Sequence, residues 1–278
     1  MVVHERAYAK LNLVLQVGRP RSDGMHPLCS LFASIELADE LEGGPAELRE
    51  DSVECAGVEG ENLALGAIAA FRERTGGLPD GPVRLRIDKH IPVAAGLGGG
   101  SADAAAALRI VNRISGLPLD AAALRELAAR LGADVPSQVE PGHALVQGVG
   151  EQVEPIALPP LVAVLVPSAA GLRTAEVYAE LDRLGGARER LDAESLRELA
   201  AGAPDRLLGA LENDLERPAL ALRPELAGTL AQLRSAGALG AAISGSGPTC
   251  FGLFADRPAA EAAAAAVPGA IVSPLRRG

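Results

Sequence analysis

Residues 91–108 read IPVAAGLGGGSADAAAAL, from Ile91 to Leu108. Just upstream, Val83-Arg-Leu-Arg-Ile-Asp88 alternates apolar and charged side chains, the period of a half-buried strand. From Ser101 the alanine-rich run predicts a helix to about Ile114. The order is therefore strand, glycine-rich loop, helix. Glycine opens backbone conformations closed to other residues and lets its N–H approach a ligand without a Cβ in the way. A helix N-terminus adds unpaired N–H groups and partial positive charge. Together these features make a cradle for phosphate. The plainer alternative is a glycine-rich turn capped by Ser101.

Spacing excludes two familiar cradles. The Walker loop needs a Gly-Lys pair, and the chain has none. The dinucleotide fingerprint fails at its last glycine, because Gly96 and Gly98 are followed by Ser101.

The chain has 278 residues, enough for one large domain or two ordinary ones. Hydrophobic residues make up 48% and aromatics only 2%, so the predicted core is aliphatic and each aromatic invites a question about its job. The net charge of −10, with no basic run, argues against a nucleic-acid partner and leaves a small anionic substrate open. Cys29, Cys55 and Cys250 are odd in number and widely spaced. They form neither a metal pattern nor a disulfide framework, which predicts reduced thiols in a cytoplasm. The four histidines are scattered and no residue set has metal-ligand spacing. No apolar run approaches a membrane span, and the N-terminus lacks a signal-peptide core. A monomer or weak homodimer is expected.

Arginine outnumbers lysine 24 to two, so Lys10 and Lys89 stand out. The two cations differ in shape, hydration and pKa behaviour, so a lysine here hints that arginine would not serve. Lys89 is expected to end the strand before the loop with its ammonium in solvent. Lys10 lies in a strand predicted over 7–17, with Leu11, Leu13, Leu15 and Val17 on one face and Lys10 and Asn12 on the other. A second strand is expected over 31–37, then a polar hairpin region over 39–54. Helices are expected over 62–74 and 120–131, the latter capped by Asp120. A strand over 143–149 precedes a proline-rich stretch at 155–160, where the domain boundary is placed. This predicts an α+β chain with an N-terminal domain over 1–154 and a C-terminal domain over 155–278. The C-terminal half opens with the apolar run Leu161–Val166, typical of a strand buried on both faces. Helices near 174–184, 193–202, 205–213, 225–236 and 258–266 follow, with strands near 241–244, 249–254 and 270–273.

Three separated segments carry polar or glycine features at odds with simple packing. They are Ala9-Lys-Leu-Asn12, the loop over 92–102, and Ile243-Ser-Gly-Ser-Gly247. Together, and in this order, they resemble the GHMP kinases, small-molecule kinases that use no Walker loop. Asp23-Gly-Met-His26, Glu61-Asn-Leu-Ala64 and Leu131-Gly-Ala-Asp134-Val-Pro136 extend the resemblance. This fuller set is similar to family members that phosphorylate a cytidyl-diphosphate-linked alcohol.

The resemblance implies a two-domain GHMP kinase fold with a ferredoxin-like α/β C-terminal domain. It implies ATP and Mg²⁺. The nucleotide would lie on Pro92, Val93, Ala94, Ala95, Gly96, Leu97, Gly98, Gly99, Gly100, Ser101 and Ala102. It implies Asp134 as the base that takes the alcohol proton and Lys10 as its charged partner, chemistry these side chains can bear. It also implies a cytosine site formed by Met25, His26, Phe32 and Tyr178, with Asn12 bonding the substrate or orienting Lys10. Asp134 also reads as a turn residue, Phe32 as core, and Lys10 with Asn12 as a solvated strand face. The chain departs from its relatives at Met25, commonly Tyr, and at Ala102, commonly Ser. Two alternatives are another GHMP kinase and a catalytically silent nucleotide-binding protein on the same fold.

Overall fold

The computed structural model describes residues 1–46, 49–58, 62–78, 81–116, 118–168 and 170–277. Strands are β1 (Val3–Val17), β2 (Leu28–Pro45), β3 (Ser52–Cys55), β4 (Val83–Asp88), β5 (Ala144–Gly148), β6 (Gln152–Pro155), β7 (Val162–Val166), β8 (Glu212–Asn213), β9 (Gly240–Ile243), β10 (Cys250–Phe254) and β11 (Ile271–Pro274). Helices are α1 (Leu63–Thr75), α2 (Gly99–Ile114), α3 (Ala121–Ala129), α4 (Thr174–Leu184), α5 (Ala193–Ala201), α6 (Pro204–Gly209), α7 (Glu216–Leu222), α8 (Leu226–Ser235) and α9 (Arg257–Ala266).

The chain forms two compact units. The first comprises Met1–Ala9, Leu37–Val93 and Gly98–Pro141; the second comprises Lys10–Glu36, Ala94–Leu97 and Gly142–Gly278. The backbone passes from one unit to the other inside β1 and inside β2. The boundary expected after residue 154 lies within the second unit.

In the first unit, β4 runs antiparallel to the second half of β2, with Leu41 opposite Ile87. Strand β3 runs parallel to β4, with Val53 opposite Leu85. The 39–54 region is therefore not a hairpin: β2 continues to Pro45, and β4 lies between it and β3. Glu47 and Leu48 of that region lie outside the described residues. The alternation read over 83–88 reflects one face packed on the core, since Val83, Leu85 and Ile87 are buried while Arg84, Arg86 and Asp88 are exposed. Helix α1 starts after Asn62, whose Oδ1 accepts the Ala64 N–H as an N-cap. Glu61 of the same motif lies outside the described residues. Helix α2 is nearly all core, with Ala104, Ala105, Ala106 and Ala107 fully buried. These small side chains let α1 pack closely on it, and Ile68 and Phe71 of α1 join the same core.

In the second unit, β5 pairs antiparallel with the first half of β2 and with β6. Strand β8 pairs parallel with β1 at Val14 and Leu15. A separate antiparallel sheet has the order β11-β7-β10-β9. Its strands follow a β-α-β-β-α-β path through α8 and α9, with the remaining helices inserted after β7. This is the ferredoxin-like arrangement expected of the C-terminal half. Val164, Ile243 and Phe254 from the sheet pack with Leu230 and Leu233 of α8. The short strands β6 and β8 and helix α7 have too few residues to show a period, and the sequence reading missed them.

Candidate active site

Lys10 and Asn12 stand on the second-unit part of β1. Residues 9–17 are all buried, so this strand is covered on both faces and the solvated-face reading does not hold. Lys10 is 4% exposed and Asn12 2%. A buried charge and a buried amide require partners. Lys10 Nζ donates to Asn12 Oδ1 at 2.6 Å and lies 4.8 Å from the centroid of the Phe32 ring. Asn12 Nδ2 donates to Ser30 Oγ at 3.0 Å, and Ser30 Oγ donates to the Val14 carbonyl at 2.6 Å. The chain of donors fixes the amide with its oxygen toward the ammonium. Phe32 is buried in the second unit's core and also forms the floor under Lys10.

The glycine loop meets this strand through its backbone. The Lys10 N–H donates to the Leu97 carbonyl at 3.0 Å. Ser244 Oγ donates to the Gly96 carbonyl at 3.0 Å. A Cβ on Gly96 would stand 2.5 Å from the Ser244 carbonyl oxygen and 2.8 Å from that of Gly247. With φ at +77°, only glycine fits there. On the opposing turn, a Cβ on Gly245 would lie 3.1 Å from Asn12 Oδ1 and 3.4 Å from Lys10 Nζ. Asn213 Nδ2 holds that turn through the carbonyls of Ile243 and Gly245, both at 2.8 Å. Ala94 has φ at +53°, a conformation uncommon outside glycine and found preferentially at functional loops.

Helix α2 begins at Gly99, two residues before the expected start at Ser101. Its N-cap is Gly98 in the left-handed region at φ +72°, and no side chain caps it. Ser101 is therefore not the cap: the backbone of Gly98 turns the chain into the helix. The first N–H groups of such a helix have no intrahelical acceptor and suit an anion. Ala102 is buried, so a side chain at this position faces packing.

A cavity of about 540 Å³ adjoins the loop within the second unit. Ala94, Gly96, Thr174, Ser246 and Gly247 help to line it, with Thr174 Oγ1 3.0 Å from Ser246 Oγ. Thr174 opens α4, and Tyr178 lies one turn further on. The Tyr178 and His26 rings are 5.1 Å apart at an interplanar angle of 51°. His26 Nδ1 donates to the Gly18 carbonyl at 2.8 Å, since a carbonyl can only accept. His26 Nε2 then faces Asp182 Oδ2 at 3.4 Å. Met25 stands 48% exposed beside His26.

Asp134 belongs to the first unit. It sits in the turn after α3, half-buried, with Val135 fully buried behind it. The Val135 N–H closes the turn on the Gly132 carbonyl at 3.2 Å, and Ser137 Oγ donates to the Asp134 carbonyl at 2.8 Å. Pro136 then opens a short 3-10 turn over Pro136–Gln138. The backbone of Asp134 is thus pinned on both sides.

Lys89 departs from expectation. Its ammonium is not in solvent: its side chain is 12% exposed and bonds Asp39 and Asp103. The sequence carried two signals for this, the scarcity of lysine and an aspartate inside an alanine-rich helix.

Residues 62–142 match the GHMP kinases N-terminal domain, and residues 189–272 match the GHMP kinases C-terminal domain. A protein of Rhizobium etli called 4-diphosphocytidyl-2-C-methyl-D-erythritol kinase is 42% identical over 272 residues, covering 95% of this chain and 90% of its own. The chain belongs to the GHMP kinase family. A namesake from Anaeromyxobacter dehalogenans is 44% identical over 280 residues, covering 95% of this GHMP kinase and 84% of itself. A crystal structure of 4-(cytidine 5'-diphospho)-2C-methyl-D-erythritol kinase matches with a TM-score of 0.80 and 37% identity, over 99% of this chain and 100% of that one. A homoserine kinase from Cytophaga hutchinsonii matches with a TM-score of 0.77 at 18% identity, a likeness of fold. Family membership makes this chain a small-molecule kinase with ATP as co-substrate.

Proposed function

We propose that this GHMP kinase transfers the γ-phosphoryl group of ATP to the 2-hydroxyl of 4-diphosphocytidyl-2-C-methyl-D-erythritol, a step in non-mevalonate isoprenoid precursor synthesis. The observation that carries this reading is the His26–Tyr178 ring pair, 5.1 Å apart. An aromatic-poor chain has placed one of its two tyrosines against a histidine whose Nδ1 is held on the Gly18 carbonyl. Such a pair suits a nucleobase, held by stacking and ring-edge hydrogen bonds. Near-full-length relatives that carry this activity in their names support the same substrate.

An alcohol is a poor nucleophile at neutral pH. Asp134 accepts its proton as transfer proceeds. Lys10 offsets charge on the moving phosphoryl group, and Asn12 orients Lys10 through their 2.6 Å bond. The loop from Pro92 to Ala102 holds the triphosphate by backbone N–H groups. Met25, His26, Phe32 and Tyr178 form the cytidyl side, with Phe32 acting through Lys10. Phosphoryl transfer then depends on alignment and charge stabilisation.

Mg²⁺ is proposed to enter with the nucleotide. Magnesium is commonly held by one or two carboxylates plus substrate phosphates rather than by a protein cage. Among the described residues no group of three or more His, Cys, Asp or Glu forms such a cage. When bound, Mg²⁺ would neutralise phosphate charge.

The chain halves 1–154 and 155–278 are read as the two family domains, since the matched regions 62–142 and 189–272 fall one in each. Among the described residues no helix is long and apolar enough to cross a membrane. Cysteines Cys29, Cys55 and Cys250 are free thiols, which supports a cytoplasmic setting. The charge of −10 supports a small-molecule rather than a nucleic-acid partner, and a monomer or weak homodimer is the proposed state.

The test is ADP release from ATP with a panel of alcohols. The cytidyl-linked methylerythritol is expected to be turned over, with homoserine and mevalonate inert. Turnover of homoserine or mevalonate instead would point to another GHMP kinase, and no turnover at all to a silent nucleotide-binding protein.

A further inference from the structure

Two carboxylates and one ammonium are sealed beside the start of α2, all within the first unit. Lys89 Nζ donates to Asp39 Oδ2 at 2.5 Å and to Asp103 Oδ2 at 2.7 Å. The other oxygen of Asp39 accepts the N–H groups of His90 at 2.6 Å and Ile91 at 2.7 Å. Asp39 is 0% exposed and Asp103 3%.

A buried ion cluster is weak evidence for stability, because apolar side chains of similar volume often do as well. Its location is more telling. Asp39 grips the backbone immediately before the loop begins at Pro92. Asp103 lies one turn into the helix that ends the loop. Lys89 ties these two points together. Its ammonium lies 3.4 Å from where a Cβ on Gly99 would stand, and Ile91 Cγ2 lies 3.0 Å from the same point. A positive charge at a helix N-terminus opposes the helix dipole. It becomes favourable when an anion arrives there. Among the described residues, Asp103 Oδ1 is buried with no hydrogen-bond partner. Burial pushes the Asp103 carboxyl up to about 7, so a full second negative charge is disfavoured beside the cradle.

We propose that Asp39, Lys89 and Asp103 form a positioning clamp that fixes both ends of the glycine loop for the triphosphate of ATP. The clamp touches neither substrate. It sets the spacing between the strand end at β4 and the first turn of α2, and so the aim of the loop's N–H groups. This inference rests on the ATP-kinase reading of the loop.

The test compares wild type with Asp39→Asn and Lys89→Met. Binding of a fluorescent ATP analogue is read directly, beside KM for both substrates and thermal unfolding. ATP-analogue affinity is expected to fall about tenfold, the worth of one charge-assisted hydrogen bond. KM for the cytidyl alcohol is expected to move less than about threefold, a change below that of a lost hydrogen bond. The conservative Asp103→Asn keeps an oxygen for Lys89 and is expected to retain ATP affinity within about threefold. Folded variants with unchanged ATP affinity, or equal weakening of both substrates, would overturn the clamp. If Lys89→Met does not fold, Lys89→Met/Asp39→Asn removes the buried carboxylate left without its ammonium and carries the same expectation. Analogue binding needs no turnover, so inactivity toward the cytidyl alcohol would sink the substrate reading and leave the clamp's test standing.

Discussion

Lys10 Nζ donates to Asn12 Oδ1 at 2.6 Å, two residues along one face of β1. The bond holds a buried ammonium in place over the Phe32 ring. A charge fixed before the reaction stabilises a transition state without reorganisation. Methionine keeps the unbranched stem and the ring contact but removes the charge. Lys10→Met is expected to lower kcat by about 10²–10³-fold, the usual loss of one electrostatic stabiliser. The variant is expected to fold with a lower melting temperature, since the orphaned Asn12 Oδ1 costs about 1–3 kcal/mol. An ADP-release assay beside a thermal melt checks both.

Asp134→Asn preserves the shape of the turn closed by Gly132 and Ser137 and removes proton affinity. Turnover is expected to drop about 10²–10⁴-fold, the range for a general base. ATP binding should match wild type. Turnover within a few-fold of wild type would remove Asp134 from the proton transfer.

Gly96→Ala introduces a Cβ 2.5 Å from the Ser244 carbonyl oxygen, at a φ of +77°. Both contacts are backbone, so neither side can yield cheaply. The variant is expected to weaken ATP-analogue binding far more than Gly100→Ala, whose nearest neighbour is Leu63 Cδ1 at 4.0 Å. Equilibrium binding of the analogue to both variants measures the contrast. Equal effects would show that close approach at Gly96 is not what shapes the loop.

His143 supplies a pH dependence of stability. Its Nδ1 accepts the Ser34 N–H at 3.2 Å, and its Nε2 donates to the Arg276 carbonyl at 2.7 Å. The Ser34 bond requires the neutral ring, because a protonated Nδ1 cannot accept. Burial holds its pKa below the ordinary histidine value. The unfolded chain therefore binds the proton first as pH falls. This contribution is full above about pH 6.5, the unfolded value, and is lost as pH drops toward the lower folded value. Urea midpoints are expected to fall between pH 7.5 and 5.5, and His143→Gln should flatten that slope. An unchanged slope in the variant would place the pH sensitivity elsewhere.

Local pattern carried the fold where one face packs and the other does not. Strand β4 alternates visibly because Arg84, Arg86 and Asp88 face out. Helix α3 announced its cap because Asp120 bonds the Ala123 N–H three residues on. Long-range pairing stayed hidden. Asp39 and Glu40 made the end of β2 look like the start of a polar hairpin, yet Asp39 is fully buried because Lys89, fifty residues later in the chain, neutralises it. The start of α2 was set late because a left-handed glycine cap leaves no side-chain mark. The scarcity of lysine singled out both Lys10 and Lys89, and at Lys89 it was misread as a strand end in solvent. Of the candidate site, the glycine loop was plain in sequence. The supports behind it were not: Ser30 under Asn12, Ser244 on Gly96, and Asn213 on the opposing turn.

The most direct measurement is kcat/KM for the cytidyl-linked methylerythritol against its uridyl analogue, with ATP saturating. Uracil exchanges a ring-edge donor for an acceptor, so a pocket built on His26 and Tyr178 would lose a matched pair. An unpaired buried polar group costs about 1–3 kcal/mol, so the uridyl analogue is expected to be about ten- to hundredfold poorer. Methylerythritol phosphate without the nucleotide should be nearly inert. Equal kcat/KM for the cytidyl and uridyl substrates would contradict the cytidine site and leave a GHMP kinase of another specificity.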